Sequence, residues 1–160
     1  MNTLGNLIGE ICKTLIPISE EVYFGNKESS ISICTLSSMN LLKRIANSNL
    51  MNSIAVTGRL LSENKGIDSL IQNVISNNNI KTIVLCGNEV SGHRSGHSLL
   101  ALHKNGINNY GKIIESNSPE PILNASKNDV DKFRNQIKII NKIGTTNFSE
   151  INKLINSLQN

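Results

Sequence analysis

Residues 83–86 read Ile-Val-Leu-Cys with no polar break, inside the run IKTIVLC (80–86). A strand with one wet face alternates apolar and polar residues, because successive side chains point to opposite faces. An uninterrupted apolar strand must be covered on both sides, and a parallel sheet flanked by crossover helices does this. The run is therefore expected to be an interior strand of an α/β fold. SISICTL (30–36) and SIAVTG (53–58) are the other well-marked strands, and helical patterns separate the three runs, as in βαβ units. Between the second and third strands, GIDSLIQNVISNN places Ile67, Leu70, Ile71, Val74 and Ile75 at helical spacing, and the asparagines at 77–79 end that helix. After the third strand, SGHSLLALHKNG carries Leu99, Leu100 and Leu102 on another short helix, with Gly106 suited to a left-handed stop. At 160 residues the chain has the size of one ordinary domain. The expectation is a single-domain Rossmann-like three-layer sandwich over residues 1–160, with a mostly parallel sheet.

Further along, GKIIES (111–116) reads as another strand and the prolines of PEP mark a loop. Ser126 and Asp129 frame a helix start before VDKFRNQIKIINKIG, where Val130, Phe133, Ile137 and Ile140 fall on one stripe. The spacing predicts one helix running through this whole segment. FSEINKLINSLQN reads as a last short amphipathic helix.

Several function classes are excluded early. The hydrophobic fraction is 38% and no apolar run approaches the ~20 residues that span a bilayer. The start, MNTLGNLIGEICKTLIP, lacks the basic first residues, long apolar middle and small-residue cleavage site of a secretory signal. A cytoplasmic protein without direct membrane insertion is expected. Cys12, Cys34 and Cys86 are far apart and form no CxxC pair, so neither a disulfide framework nor a thiolate zinc site is indicated. The net charge is +4, but the lysines and arginines are scattered and aromatics make up only 3%. That is a mildly basic solvated surface, not a nucleic-acid footprint.

In open α/β sheets ligands bind at the carboxyl ends of the strands, which favours the loop beginning at Gly87. Gly87, Gly92 and Gly96 remove Cβ atoms at three points in ten residues and would let a flat ligand approach the main chain. Gly87 and Gly92 have the spacing of the GxxxxGK[ST] phosphate cradle, but His93 stands at the lysine position and Arg94 at the hydroxyl position. No GxGxxG is present. His93 and His97 are four apart, as in paired zinc ligands on one helical face, with Glu89 or His103 as a third donor. No HExxH is present and His103 falls on a different face. The plainest alternative makes His93 a hydrogen-bonding loop residue and His97 a solvated helix residue.

CGNEVSGHRSGHSLLALHKNG (86–106) resembles the characteristic segment of the A-subunit family of tetrahydromethanopterin S-methyltransferase, with the pattern CGxEVxGHxxGQSxxALHxNG. The matching positions are Cys86, Gly87, Glu89, Val90, Gly92, His93, Gly96, Ser98, Ala101, Leu102, His103, Asn105 and Gly106. The resemblance extends to SSISICTLSS (29–38), to TGRLLSENKGID through Gly58, Glu63, Asn64 and Gly66, and downstream to GKII and DKFRNQIKII.

The resemblance implies a cobalamin-type corrinoid as cofactor, with His93 as the lower axial ligand of its cobalt. Gly87, Glu89, Val90, Ser91, Gly92, Arg94, Gly96 and His97 are the expected cofactor-binding residues around it, with Glu89 as the outer partner that orients the ring. The implied function is that of a methyltransferase carrier subunit. It would accept a methyl group from methyl-tetrahydromethanopterin and pass it towards coenzyme M, both transfers relying on other methyltransferase subunits. No residue of this chain is expected to be catalytic by itself.

Some positions depart from the pattern. His97 stands where the family has Gln, Ser37 replaces a glycine, and Leu60 and Leu61 replace a Pro-Cys or similar pair. Family members of the membrane complex end in a C-terminal anchor, whereas this sequence stops at Asn160 after a polar helix. The expectation is a soluble relative, peripheral at most to a membrane complex. The alternative is a stand-alone corrinoid-binding store or sensor.

Overall fold

A computed structural model of the chain describes residues 21–160; the readings of the N-terminal segment, Cys12 included, lie outside the described residues. The elements in chain order are β1 (Val22–Phe24), β2 (Ile31–Cys34), α1 (Met39–Ala46), a 3-10 turn (Asn49–Asn52), β3 (Val56–Gly58), α2 (Lys65–Ile75), β4 (Thr82–Gly87), α3 (Ser95–Asn105), α4 (Lys127–Gln136), β5 (Lys138–Ile143) and α5 (Phe148–Gln159). The sheet order is β1-β3-β2-β4-β5. Among these strands β1 runs antiparallel to its neighbour, whereas β3, β2, β4 and β5 are mutually parallel. The α/β fold with a mostly parallel sheet is thus the observed one.

Every residue of β4 is buried, and the strand lies between β2 and β5, as its unbroken apolar run requires. Its side chains divide by the strand period of two. Ile83 and Leu85 join the core formed with Ile67, Ile71 and Val74 of α2, Leu99 and Leu102 of α3, and Val130 and Phe133 of α4. Val84 and Cys86 join the opposite core with Leu41 and Ile45 of α1 and Ile151 and Ile155 of α5. Helices therefore cover both faces. Burial pushes the Cys86 thiol up, which keeps it an uncharged core side chain.

Two expectations are corrected. The helix begun at Ser126, whose hydroxyl accepts the Asp129 N–H, ends at Gln136, and residues 138–143 form β5 beside β4. The stripe drawn through Ile137 and Ile140 does not exist, because Ile137 belongs to one core and Ile140 packs on the other. Residues 111–116 form no strand; only isolated bridges join Ile107 to Ile113 and Lys112 to Ile122. β1 carries no burial pattern, with all three residues exposed, and periodicity had no signal with which to mark it.

α4 also ties down its neighbours. The last carbonyls of a helix have no partner within it. Arg134 donates to the carbonyls of His103 and Lys104 at the end of α3, at 3.0 and 2.8 Å. The Gln136 amide donates to the carbonyls of Val74, Asn77 and Ile80, at the end of α2 and just beyond it, at 2.9, 3.0 and 3.1 Å.

The chain steps from β2 outward to β3, then crosses back over β2 to β4. The crevice between the carboxyl ends of β2 and β4 is therefore the topological switch point, where ligands bind in folds of this kind. Its two loops are stitched together: Ser37 donates its hydroxyl to the Asn88 carbonyl at 2.8 Å, and the Asn88 N–H donates to the Ser38 hydroxyl at 2.8 Å. Among the described residues no helix is long and apolar enough to cross a membrane.

A candidate ligand site built on two histidine–carboxylate pairs

Three segments converge at this end of the sheet: the loop after β3, the loop from β4 to α3, and the passage at 116–120. Ser95 donates to the Leu60 carbonyl at 2.7 Å, joining the first two. Ser98 contacts the hydroxyls of Ser116 and Ser118, and Ser118 donates to the Arg94 carbonyl at 3.2 Å, joining the third.

His93 lies on the middle loop, before α3. Its side chain is 55% exposed, yet Nδ1 sits 2.8 Å from Oε2 of Glu63, whose side chain is 2% exposed. The other oxygen of Glu63 accepts the Glu120 N–H at 3.0 Å. Burial pushes the Glu63 carboxyl up, but the amide groups of Glu63 itself and Glu120, together with His93, outweigh that and hold it below the ordinary glutamate range. An ionised carboxylate can only accept, so Nδ1 carries the proton and donates it. Nε2 is the ring's other nitrogen, and it has no hydrogen-bond partner among the described residues.

Glu89, expected to orient His93, does something else. Its Oε1 accepts the N–H groups of Val90 and Gly96 at 2.8 and 3.0 Å. Its Oε2 accepts the backbone N–H of His97 at 2.9 Å and faces His97 Nδ1 at 2.6 Å. Burial pushes this carboxyl up as well, but the Gly96 amide, the His97 ring and the amides of Val90 and His97 pull it below the ordinary range. His93 is therefore held by Glu63 and His97 by Glu89. Sequence reasoning placed Glu63 among the positions matching the family without giving it a role, and that match was the one signal available for it.

The three glycines also separate. A Cβ at Gly87 would lie 2.1 Å from the Thr35 carbonyl oxygen, and one at Gly96 would lie 2.9 Å from Glu89 Oε2, so both positions are filled by the protein itself. Of the three, only Gly92, at φ +80°, has no heavy atom within 4 Å of the Cβ position. Ser91, Gly92, His93 and Arg94 are exposed, while Val90 lies behind them and its carbonyl accepts the His93 and Arg94 N–H groups at 3.2 and 2.9 Å. The zinc arrangement fails on geometry. His93 precedes α3, which begins at Ser95, so the two rings do not share a helical face. His103 donates Nε2 to the Ile137 carbonyl at 2.9 Å, tying the far end of α3 to the start of β5. Among the described residues no group of three or more His, Cys, Asp and Glu is placed to hold a metal.

The depressed carboxyls predict a pH dependence. Both are lowered in the folded state relative to about 4.3 unfolded, so their stabilisation is complete above that value and disappears as pH falls through the folded values. Between pH 6 and pH 3 the urea midpoint of the wild type should fall more than that of a Glu63→Gln/Glu89→Gln double variant. Parallel curves would contradict the assignment.

The described residues thus form an α/β fold with a doubly covered, largely parallel sheet whose switch-point loop presents a carboxylate-held imidazole. The family model described as the A subunit of tetrahydromethanopterin S-methyltransferase matches residues 12–160. The A subunit of a putative Mtx methyltransferase from Methanosarcina barkeri is 40% identical over 132 residues, covering 82% of this chain and 63% of that protein. Its counterpart in Methanosarcina acetivorans is 37% identical over 140 residues, covering 87% and 67%. The tetrahydromethanopterin S-methyltransferase A subunit of Methanocaldococcus jannaschii is 36% identical over 140 residues, covering 86% and 56%. The chain belongs to the A-subunit family of tetrahydromethanopterin S-methyltransferase. It spans about three fifths of the length of the curated relatives it matches.

Proposed function

We propose that this chain is a corrinoid carrier subunit of a methyltransferase, with His93 as the lower axial ligand of the corrinoid cobalt. The observation that carries the reading is the state of His93: Nδ1 donated to a buried, ionised Glu63, and Nε2 without a partner among the described residues, on a half-exposed ring beside the open space at Gly92. Metal-ligating histidines are oriented in this way, with the second nitrogen donating to a carboxylate.

The donor set fits a corrinoid better than a bare ion. A bare zinc ion needs three or four protein ligands, and such a group is absent among the described residues. A corrinoid would bring most of its cobalt's ligands itself and ask this chain for a single imidazole, which His93 would supply. When bound, the corrinoid supplies the cobalt on which a methyl group is carried. His93 would hold that metal from below, Ser91, Gly92 and Arg94 would form the exposed rim, and Gly87, Val90, Glu89, Gly96 and His97 would shape the loop from behind.

The methyl group would come from methyl-tetrahydromethanopterin and pass to coenzyme M, both through partner subunits of the methyltransferase, with this chain peripheral to a membrane complex. A second reading keeps the carrier role but changes donor and acceptor. Relatives named as putative Mtx methyltransferase subunits are 37–41% identical, against 32–36% for those named after tetrahydromethanopterin. A stand-alone store or sensor would bind the corrinoid without either transfer.

Reconstitution with cobalamin tests the site. The wild type should bind and show the absorption and electron-spin features of imidazole coordination, and His93→Ala should lose them. If His93→Ala loses neither binding nor those features, the assignment of His93 fails.

A further inference from the structure

The first N–H groups of a helix point out of its N-terminus without intrahelical partners, and a small polar side chain at the cap position usually satisfies one. At α3 the cap position is Arg94, which has no acceptor and makes no side-chain capping bond. Arg94 also sits at φ +50°, in the left-handed region that side-chain-bearing residues occupy rarely and at some cost. What holds this turn comes from five residues before it. Glu89 places one oxygen on the N–H groups of Val90 and Gly96 and the other on His97, backbone and ring.

The consequence is a closed loop. Glu89 and His97 are its two ends, joined through one carboxylate, and His93 lies midway between them. Gly96 completes the device, since a Cβ there would lie 2.9 Å from Oε2 and push the carboxylate off its seat. An ionised carboxylate against a helix N-terminus is also favoured by the helix dipole.

Resting on the corrinoid reading, we infer that Glu89 is a second positioning residue for His93, acting behind its direct partner Glu63. By closing the loop at 89–97 it holds the strained turn at Arg94, and so keeps His93 Nδ1 within reach of Glu63. The hydrogen bonds of Glu89 go to Val90, Gly96 and His97 and not to His93, so it acts through the backbone. His97 belongs to the same device: its Nδ1–H supplies a donor to Glu89 that a glutamine amide would also supply, and this accounts for a histidine at that position without a ligand role.

The test uses the full chain, with readouts before and after cobalamin is added. In the ligand-free protein, nuclear magnetic resonance reads the exchange protection of the Gly96 and His97 amides and the downfield Nδ1–H signal of His93. With saturating cobalamin, absorption reads the fraction carrying imidazole coordination. Glu89→Ala should lower the amide protection about 10- to 100-fold, the worth of a charge-assisted hydrogen bond. It should also abolish the His93 signal and reduce the coordinated fraction below wild type. Glu89→Gln should fall between the two, and His97→Leu should also be intermediate.

If Glu89→Ala loosens the amides but keeps either the His93 Nδ1–H signal or the wild-type coordinated fraction, Glu89 is a helix cap alone and the inference is overturned. Should Glu89→Ala fail to fold, Glu89→Gln and His97→Leu carry the same signs and decide the matter in the same way. If the wild type binds no cobalamin, the corrinoid reading falls by itself. The His93 signal in Glu89→Ala then decides the positioning role, its loss supporting the inference and its retention refuting it.

Discussion

Glu63→Ala is expected to weaken cobalamin binding about 10- to 100-fold, the range typical for losing the outer partner of a metal-bound histidine. Glu63 is 1% exposed and serves two donors from different segments, the His93 ring and the Glu120 N–H. Alanine strands both. The ring loses the acceptor that fixes its tautomer and its direction, and the passage at 116–120 loses an anchor to the loop after β3. Glu63→Gln sharpens the point. Its amide oxygen can accept from only one side of the site, while its NH2 group faces a second donor, so the isosteric change should recover little of the loss. Titration with cobalamin, followed by absorption, measures this directly. Wild-type affinity and an unchanged axial spectrum in both variants would show that Glu63 does not orient the ligand.

Phe133→Ala carries the largest effect on stability, about 3–5 kcal/mol, because the ring is fully buried and its removal leaves a cavity that packed neighbours cannot close. Phe133 lies on α4 within the core that joins the sheet to α2 and α3. For a chain of this length that loss lowers the melting temperature by about 6–20 °C. Urea unfolding should show a lower midpoint at unchanged slope, the mark of a destabilised native state. A shift under about 1 kcal/mol, the size of a typical point substitution, would mean that α4 is not part of the principal core.

The interior strand was legible because burial on both faces writes an unbroken apolar run, and β4 is buried throughout. The helix α2 was legible for the complementary reason, a single apolar stripe, whereas the buried face of α3 mixes Leu99 and Leu102 with Ser95, Gly96 and Ser98. β5 was not. Its isoleucines at 139, 140 and 143, with Ile137 just before them, satisfy helical spacing from Phe133 as well as they satisfy alternation. Its outer position in the sheet also admits Lys138, Asn141 and Lys142, which dilute the period-two signal.

The candidate site was legible in part. The loop and His93 are candidates on topology and on the family pattern, but the pattern mixes two kinds of residue. His103, Asn105 and Gly106 at its end are scaffold: His103 ties α3 to Ile137, Asn105 donates to the Ile114 carbonyl, and Gly106 stops the helix at φ +75°. The choice of carboxylate was misjudged because Glu89 is four residues from His93 along the chain whereas Glu63 is thirty away. Proximity in sequence selected the wrong partner; only the convergence of two loops over the parallel sheet brings the right one into contact.

The bonds from Arg134 and Gln136 to the ends of α3 and α2 lie at the base of the sandwich, at the amino ends of the strands. His93 and Glu63 lie at the other end, roughly 20 Å away along a six-residue strand. Fastening the helices at the base lets the loops at the opposite rim vary in sequence without unfastening the body that carries them. In thermodynamic terms the two ends are nearly independent: substitutions at Arg134 and at Glu63 should combine additively to within about 0.3–0.5 kcal/mol. The base therefore carries stability that a substitution at an exposed rim residue such as Arg94 leaves untouched.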